Sequence, residues 1–172
     1  AIAQPKLDGV RCLAQVLPNG DVSLVSRNNK PFPEMPGIRA AIKAVGLPEG
    51  TILDGELYST TLGATPAENF QKVVGLTRRA KLKPQDIADS KEVSLNIFDL
   101  IQSDDAAMPF VNRWKLANSY AKRDTTGRLT MVPNFLVKTK QDIDNLLAQN
   151  LANGYEGVMI RDPKSPYQGR RS

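Results

Sequence analysis

Histidine is absent from the 172 residues of this chain. Imidazole acid–base chemistry and Ser-His-Asp triads are therefore excluded within it. The single cysteine, Cys12, excludes an internal disulfide and a four-cysteine zinc site, and a buried, inert thiol is its expected state. A nucleophile or metal ligand here must be lysine, aspartate, glutamate, serine or tyrosine. Carboxylate ligands suit a hard cation such as Mg²⁺ better than zinc.

Long apolar runs and glycine-rich phosphate loops are missing as well. Without an apolar run long enough to cross a bilayer, no membrane span is expected. Without a P-loop or a dinucleotide-type glycine motif, a nucleotide must be held by side chains on strands and loops. The net charge of +5 favours a polyanionic partner such as nucleic acid or nucleotide phosphate, although many basic domains bind neither.

Hydrophobic periodicity and turn residues predict a mixture of strands and helices. Residues 10–16 and 22–26 flank the turn sequence Pro18-Asn19-Gly20-Asp21, which is a strong signal for a β-hairpin. Further strands are predicted over 51–58, 93–101, 129–137 with an interruption near Pro133, and 158–161, and helices over 36–45, 66–74, 110–122 and 139–153. This order indicates an α+β fold with mostly antiparallel sheets flanked by helices.

The first cluster of reactive side chains lies at the mouth of the hairpin, where Lys6, Asp8, Gly9 and Arg11 occur within six residues. Lysine is a nucleophile only when neutral, so its usual pKa of about 10.4 must fall, and a bound cation nearby lowers it. Gly9 permits close backbone approach to a ligand or a positive φ, and Arg11 offers a fork for phosphate or carboxylate. A charged turn that leads into a strand is the alternative.

A second group of polar residues lies on the predicted strand over 51–58. Asp54 and Glu56 are two residues apart and therefore point to one face of it. Because like charges repel unless a cation or donors lie between them, the pair indicates a metal or ribose site, and otherwise an exposed strand face. On the next predicted strand, Phe98 has a ring suited to stacking on a base, although a core position explains it more simply.

The last clusters lie near the end of the chain. Glu156 opens a short apolar strand and Arg161 closes it. Glu156 is a candidate metal ligand, with a surface acid at a strand end as the alternative. Residues 167–172 form a basic, glycine-containing segment that suits phosphate contact.

The order and spacing of these clusters resemble the covalent nucleotidyltransferases, which comprise ATP-dependent DNA ligases, RNA ligases and mRNA capping enzymes. That superfamily has a K-x-D-G-x-R motif with a nucleophilic lysine, then D-G-E, a strand with an aromatic residue, E-G-x-x-x-[RK] and a final K-x-K-type strand. The fixed positions of the first four motifs are matched by Lys6, Asp8, Gly9, Arg11, Asp54, Gly55, Glu56, Phe98, Glu156, Gly157 and Arg161. The residues within the motifs at 4–11, 156–161 and 167–172 resemble those of ATP-dependent DNA ligases most.

The resemblance implies a nucleotidyltransferase (ATP-grasp-like) fold, with residues 1–172 as the adenylation domain. The strand before the lysine motif, the final lysine motif and the C-terminal OB domain are expected to be absent from this chain. It also implies ATP as the AMP donor, Mg²⁺ (or Mn²⁺) as the metal, and nicked duplex DNA as the partner. By the same resemblance, we expect an intracellular protein of a bacterial or phage type. It is also expected to be a monomer and not to associate with membranes.

The resemblance further assigns a role to each matched residue. Lys6 is the catalytic residue that takes AMP from ATP; AMP then passes to the 5′-phosphate of a nick, and the 3′-hydroxyl displaces it. The implied nucleotide-binding residues are Lys6, Arg11, Arg27, Glu56, Phe98 and Glu156, and the implied metal ligands are Asp54, Glu56 and Glu156. The implied DNA or phosphate contacts are Arg27, Arg161, Arg170 and Arg171.

Two other classes of protein stay open at this point. An RNA ligase or a capping-type nucleotidyltransferase would use the same lysine, and its nucleotide preference and its need for a nick would distinguish it. A non-catalytic nucleic-acid-binding module would keep the fold and the basic surface but would never carry AMP on Lys6.

Overall fold

The computed structural model describes residues 1–102, 105 and 107–167. Its strands are β1 (Ile2–Lys6), β2 (Val10–Val16), β3 (Val22–Val25), β4 (Ile52–Tyr58), β5 (Ser94–Ile101), β6 (Leu129–Met131), β7 (Phe135–Leu136) and β8 (Gly157–Arg161). Its helices are α1 (Pro36–Val45), α2 (Pro66–Thr77), α3 (Pro84–Ser90), α4 (Phe110–Ala121) and α5 (Lys140–Ala152). None of the helices within these ranges is long and apolar enough to cross a membrane.

The strands form two sheets, in the orders β3-β2-β4-β5-β6 and β7-β1-β8. Every neighbouring pair is antiparallel except β5 and β6, which are parallel. The predicted α+β fold with mostly antiparallel sheets is therefore confirmed.

The predicted hairpin is present as β2 and β3, with Val16 paired to Val22. The turn closes with the Leu17 amide donating to the Asp21 carbonyl at 2.8 Å. Gly20 has a φ of 82°, a left-handed value that glycine adopts without a steric penalty. The chain thus reverses at the Asn-Gly turn, where the sequence predicted it.

The main core lies between the five-stranded sheet and helices α1, α2 and α4. The predicted apolar stripe of α1, formed by Ile38, Ile42 and Val45, is fully buried in it. Cys12 is buried in the same cluster, and its desolvation raises the pKa of the thiol, as expected for an inert core residue. A smaller cluster lies between α5 and the three-stranded sheet and contains Ala3, Val137 and Leu146.

Three features differ from the sequence-based expectations. A strand, β1, does lead into Lys6, so the expectation that none precedes the lysine motif is wrong for this chain. Its central Pro5 lowers the strand signal because proline lacks an amide donor. The predicted strand over 129–137 is two strands in different sheets, and Pro133 lies where the chain crosses from one sheet to the other.

The third difference is helix α3, which was not predicted. It is only seven residues long and has few apolar residues, so its periodic signal is weak. Pro84 occupies its first turn, and the Asp86 side chain accepts from the amide of Lys83 at 2.9 Å. The residues that cap α3 are therefore close to it in sequence. Its hydrophobic face is too short to give a recognisable helical pattern.

Candidate active site

The two sheets enclose a cleft of about 450 Å³. Every predicted site residue within the described ranges contributes to its wall, namely Lys6, Arg11, Arg27, Asp54, Glu56, Phe98, Glu156 and Arg161. Arg170 and Arg171, predicted to contact DNA or phosphate, lie outside the described residues. The fold thus brings the motifs together from positions as far apart as β1 and β8.

Lys6 ends β1 at the rim of the cleft. Its carbonyl accepts from the amide of Glu156 at 2.9 Å, so the lysine and the glutamate are held on neighbouring backbone segments. Lys6 Nζ lies 3.9 Å from Glu156 Oε1, and the two side chains are 48% and 52% exposed. A half-exposed pair of this kind contributes at most about 1 kcal/mol to stability, so a ligand can displace it at little cost.

Gly9 is required because β4 passes directly against it. A Cβ added at Gly9 would lie 2.2 Å from the carbonyl oxygen of Leu57. The Gly9 amide also donates to Glu56 Oε2 at 3.2 Å. The close approach predicted for this glycine is therefore to the neighbouring strand, and it fixes the loop after Lys6 to the strand that carries the carboxylates.

Phe98 is presented to the cleft by a β-bulge. Asp54 pairs with Asp99 and Gly55 pairs with Ile97, so Phe98 has no partner on β4. Bulges of this kind re-aim a side chain relative to the regular pleat. A Cβ at Gly55 would lie 2.6 Å from the Asn96 carbonyl oxygen, so the bulge also depends on a glycine opposite it.

The ring of Phe98 lies close to two guanidinium groups. It is 7% exposed, yet it lines the cleft and does not belong to either hydrophobic cluster of the described chain. The Arg11 guanidinium carbon is 5.8 Å from the ring centroid and that of Arg161 is 5.6 Å from it. Cations at these distances are attracted to the face of an aromatic ring. Phe98 is thus a cleft residue rather than an ordinary core residue.

Asp54 is fully engaged by other side chains. It is 2% exposed and accepts from Arg11 Nε at 3.0 Å and from Arg11 NH2 at 2.5 Å, one bond to each carboxylate oxygen. Tyr167 adds a third hydrogen bond, with its hydroxyl donating to Asp54 Oδ2 at 2.8 Å. Both oxygens of Asp54 are thus occupied by protein donors.

The predicted metal set of Asp54, Glu56 and Glu156 is not assembled in this geometry. Across the described residues, no group of three or more histidine, cysteine, aspartate or glutamate side chains is placed to hold a metal ion. Asp54 lines the cleft but accepts from Arg11 and Tyr167, whereas Asp8, Glu56 and Glu156 line it beside Lys6.

Negative charge accumulates next to Lys6. Burial raises the pKa of Glu56 to about 7, against the effects of the Gly9 amide and Arg11, and the charges of Asp54 and Glu156 add to the rise. Burial and the charge of Glu156 also raise the pKa of Asp8. Carboxyl groups with raised pKa values in a cleft favour an incoming cation, because it relieves their mutual repulsion.

Arg161 closes the far side of the cleft at the end of β8. Its NH1 donates to Asp99 Oδ2 at 3.4 Å, and desolvation lowers the pKa of its guanidinium. Its Nε is buried and has no hydrogen-bond partner within the described part of the chain. Together with Arg11 and Arg27, Arg161 gives the wall of the cleft a positive charge that suits an anionic ligand.

Comparison with known proteins decides the family. The family model described as "ATP dependent DNA ligase domain" matches residues 1–172, the whole chain. The chain belongs to the ATP-dependent DNA ligase domain family. Among curated relatives, the DNA ligase of African swine fever virus is 32% identical over 97% of this chain. The chain spans 38% of that relative's length.

Solved structures agree with the ligase fold. A structure named Pmar-Lig_PreS3 superposes with a TM-score of 0.80 at 24% identity, over 99% of this chain and 40% of that one. The adenylate form of the Chlorella virus DNA ligase superposes with a TM-score of 0.72 at 24% identity, over 99% of this chain and 57% of that one. At these identities the superpositions establish that the ligase domain has the same fold.

Several residues of this ligase domain were missed by sequence reasoning. Arg113 is 1% exposed and donates to both oxygens of Asp99, from Nε at 2.8 Å and from NH2 at 3.1 Å. Phe70 of α2 lines the cleft, and Tyr167 bonds Asp54 across 113 positions of sequence. Arg113 lies on the buried face of α4 with 110, 117 and 121, although arginine is rarely buried and its charge gives no reason to expect it there.

Proposed function

We propose that this domain forms a covalent lysyl-AMP intermediate from ATP and that the whole protein uses it to join nicked duplex DNA. The placement of Lys6 supports the proposal: a half-exposed lysine lies at the rim of a cleft that also holds an aromatic ring, arginines and carboxylates. Such a site offers a nucleophile, a surface for a base and charge for phosphates.

The reaction begins with deprotonated Lys6. Its Nζ attacks the α-phosphorus of ATP, forming a phosphorus–nitrogen bond as the bond to the pyrophosphate oxygen breaks. AMP then passes to the 5′-phosphate of a nick and frees the lysine. The 3′-hydroxyl of the nick attacks that phosphate and releases AMP, which leaves a phosphodiester. In each step the protein contributes mainly positioning and charge neutralisation.

The roles proposed for the cleft residues follow from their places. Phe98 stacks on adenine, since its ring lines the cleft beside the guanidinium groups of Arg11 and Arg161. Arg161, which lines the cleft at the end of β8, contacts phosphate. Arg27 contacts the phosphate of ATP or of the nick, since it lines the cleft at the end of β3. Glu56 accepts from the ribose, and Asp8 helps to orient Lys6.

Mg²⁺ is proposed to enter with the triphosphate rather than to occupy a dedicated protein site. Asp54 accepts from Arg11 and Tyr167, so it would hold the ion through water, or directly after giving up one of these bonds. Glu56 and Glu156 fit as direct ligands, since Mg²⁺ is commonly held by one or two carboxylates together with substrate phosphates. When bound, the ion would neutralise charge on the phosphates.

The remaining parts of the proposal concern the whole protein. The chain spans 38% of the relative from African swine fever virus, so nick sealing by the complete protein is inferred from its family. We propose that it acts as a monomer inside the cell. DNA is favoured over RNA as substrate because the curated relatives and the family model are DNA ligases.

The test is intact-mass spectrometry after incubation with ATP and Mg²⁺, with parallel samples in GTP and in NAD⁺. An AMP adduct from ATP, mapped to the peptide that contains Lys6 and lost in Lys6→Arg, is expected. Lys30→Arg, an exposed lysine in the turn after β3, is the matched control and should keep the adduct. The same measurement on the full-length gene product removes any dependence on chain length, and absence of an adduct there would overturn the proposal.

A further inference from the structure

The segment after β8 is fixed against the start of α4. The amides of Phe110 and Val111, in the first turn of that helix, donate to the carbonyls of Ser165 at 2.9 Å and Pro163 at 3.0 Å. Amides in the first turn of a helix have no partner within the helix, so another segment must satisfy them. Residues 162–167, which we call the docked segment, therefore pack against the N-terminal end of α4.

A buried arginine strengthens this docking. Arg113 NH1 donates to the carbonyl of Ser165 at 2.7 Å and to that of Met108 at 2.6 Å. The other edge of the same guanidinium binds both oxygens of Asp99, and its carbon lies 5.8 Å from the ring centroid of Tyr167. A charge buried to this degree stays in place only when its donors are paired, so Arg113 holds the docked segment firmly on β5.

The docked segment delivers one hydroxyl to the cleft. Tyr167 donates to Asp54 Oδ2 at 2.8 Å, and the same oxygen accepts from Arg11 NH2 at 2.5 Å. A carboxylate only accepts hydrogen bonds, so the Tyr167 hydroxyl is the donor in this contact. Two donors on one oxygen restrict the carboxylate more than either does alone.

The orientation of Arg11 depends on that carboxylate. The guanidinium of Arg11 binds Asp54 through two parallel bonds, a geometry that fixes its plane as well as its position. Its carbon lies 5.8 Å from the ring centroid of Phe98, the proposed adenine platform. A change in the rotation of the Asp54 carboxylate would therefore move Arg11 relative to the nucleotide.

We infer that Tyr167 is a positioning residue of the adenylation site, acting through Asp54 to hold the guanidinium of Arg11 against the cleft. The functional part of this inference rests on the proposed function. Its structural part does not, because the contact between Tyr167, Asp54 and Arg11 can be measured without catalysis. If Tyr167 had only a packing role, its ring against Arg113 would matter and its hydroxyl would not.

The first experiment measures the contact directly in Tyr167→Phe, which removes the hydroxyl and keeps the ring. Hydrogen exchange of the Arg11 Nε–H, followed by nitrogen-15 NMR and assigned by its absence in Arg11→Lys, should become at least about fivefold faster. The Arg113 Nε–H, bonded to Asp99, should be unchanged. Tyr120→Phe is the control, because Tyr120 packs against the main core and does not line the cleft. Unchanged exchange at Arg11 would overturn the inference.

The second experiment measures the rate of lysyl-AMP formation at saturating ATP. Loss of a hydrogen bond to a charged group predicts a fall of roughly tenfold in Tyr167→Phe, with Tyr120→Phe unaffected. In an Arg11→Lys background, which lacks the two-point bond, Tyr167→Phe should lower the rate no further. Additive losses in the double variant would show that the hydroxyl acts by another route.

The two experiments separate failure of the inference from failure of the proposed function. A parent protein that forms no lysyl-AMP contradicts the proposed function, and the exchange measurement then decides the inference alone. A parent that forms lysyl-AMP, together with a Tyr167→Phe variant of equal rate and equal Arg11 exchange, contradicts the inference and leaves the proposed function intact.

Discussion

Asp54 and Asp99 lie opposite each other on β4 and β5, and each carboxylate is bound at two points by a different arginine. Like charges at opposed positions destabilise a sheet. Arg11 compensates Asp54 from the cleft, and Arg113 compensates Asp99 from α4. This part of the sheet is therefore built on two ion pairs, one lining the cleft and one buried in the interior.

Removal of Arg113 from its buried ion pair with Asp99 is expected to cause a large loss of stability. Arg113→Met leaves buried Asp99 with only the longer 3.4 Å contact to Arg161 as compensation, and breaking a buried pair costs about 3–5 kcal/mol of the free energy of unfolding. Denaturant unfolding measures it, with Arg78→Met at an exposed position as the control. Adding Asp99→Asn to Arg113→Met should recover part of the loss. No recovery would mean that lost packing, not unpaired charge, causes the effect.

Glu56 predicts a pH dependence of stability. Its pKa in the folded protein is raised to about 7 from an ordinary 4.5, so between these values the folded state binds more protons than the unfolded state. The free energy of unfolding therefore falls, through this group, as the pH rises from about 4.5 to about 7, and is flat above. Glu56→Gln removes the contribution.

The measurement is denaturant unfolding of both proteins at several pH values across that window. Relative to the parent, Glu56→Gln should gain stability as the pH rises, by on the order of 1 kcal/mol after allowance for the partial exposure of the group. Glu34→Gln, at an exposed position, is the control and should follow the parent. A constant difference between Glu56→Gln and the parent across the window would argue against a raised pKa.

Sequence patterns predicted the elements that are determined by residues close together in the chain. The Asn-Gly turn predicted the hairpin of β2 and β3, and the apolar stripe of α1 predicted its buried face. Spacing along β4 predicted that Asp54 and Glu56 share the face that lines the cleft. The residues of the matched motifs converge on that cleft because β1 pairs with β8 in one sheet, β2, β4 and β5 are neighbours in the other, and both sheets line the cleft.

Features that depend on distant partners were not predictable from one sequence. The apolar pattern of α4 predicts Trp114, Ala117 and Ala121 as its inner face, whereas Arg113 is the more deeply buried residue because Asp99 accepts its charge. Trp114 instead reaches the Val132 carbonyl at 2.9 Å with its indole N–H. Nothing local distinguishes a buried arginine from a solvated one, since the partner lies on another strand.

Replacement of Gly9 by alanine is expected to cause a steric clash that the same replacement at an exposed helical glycine would not. Gly9→Ala places a methyl group against the Leu57 carbonyl, so β2 and β4 must separate, at a cost of about 1–3 kcal/mol in the free energy of unfolding. The shift also moves the loop after Lys6, so lysyl-AMP formation should slow. Gly75→Ala in α2 is the matched control: its Cβ meets no atom within 4 Å, and it should stabilise the protein by about 0.5–1 kcal/mol. Equal stability of the two variants would show that the loop adapts to the methyl group.

Phe98 predicts a specific loss of nucleotide affinity. Phe98→Leu keeps an apolar side chain at the bulge but removes the flat ring, and stacking of a base on an aromatic side chain is worth about 1–3 kcal/mol. The Kd for ATP, measured by calorimetry in the Lys6→Arg background so that no covalent step intervenes, should therefore rise by roughly fivefold or more. Phe135→Leu is the control, because Phe135 is 41% exposed on β7 and does not line the cleft. If Phe98→Leu binds ATP as tightly as Phe135→Leu does, the adenine must lie elsewhere in the cleft. Arg11 and Arg161, the arginines near Phe98, would then serve the phosphates alone.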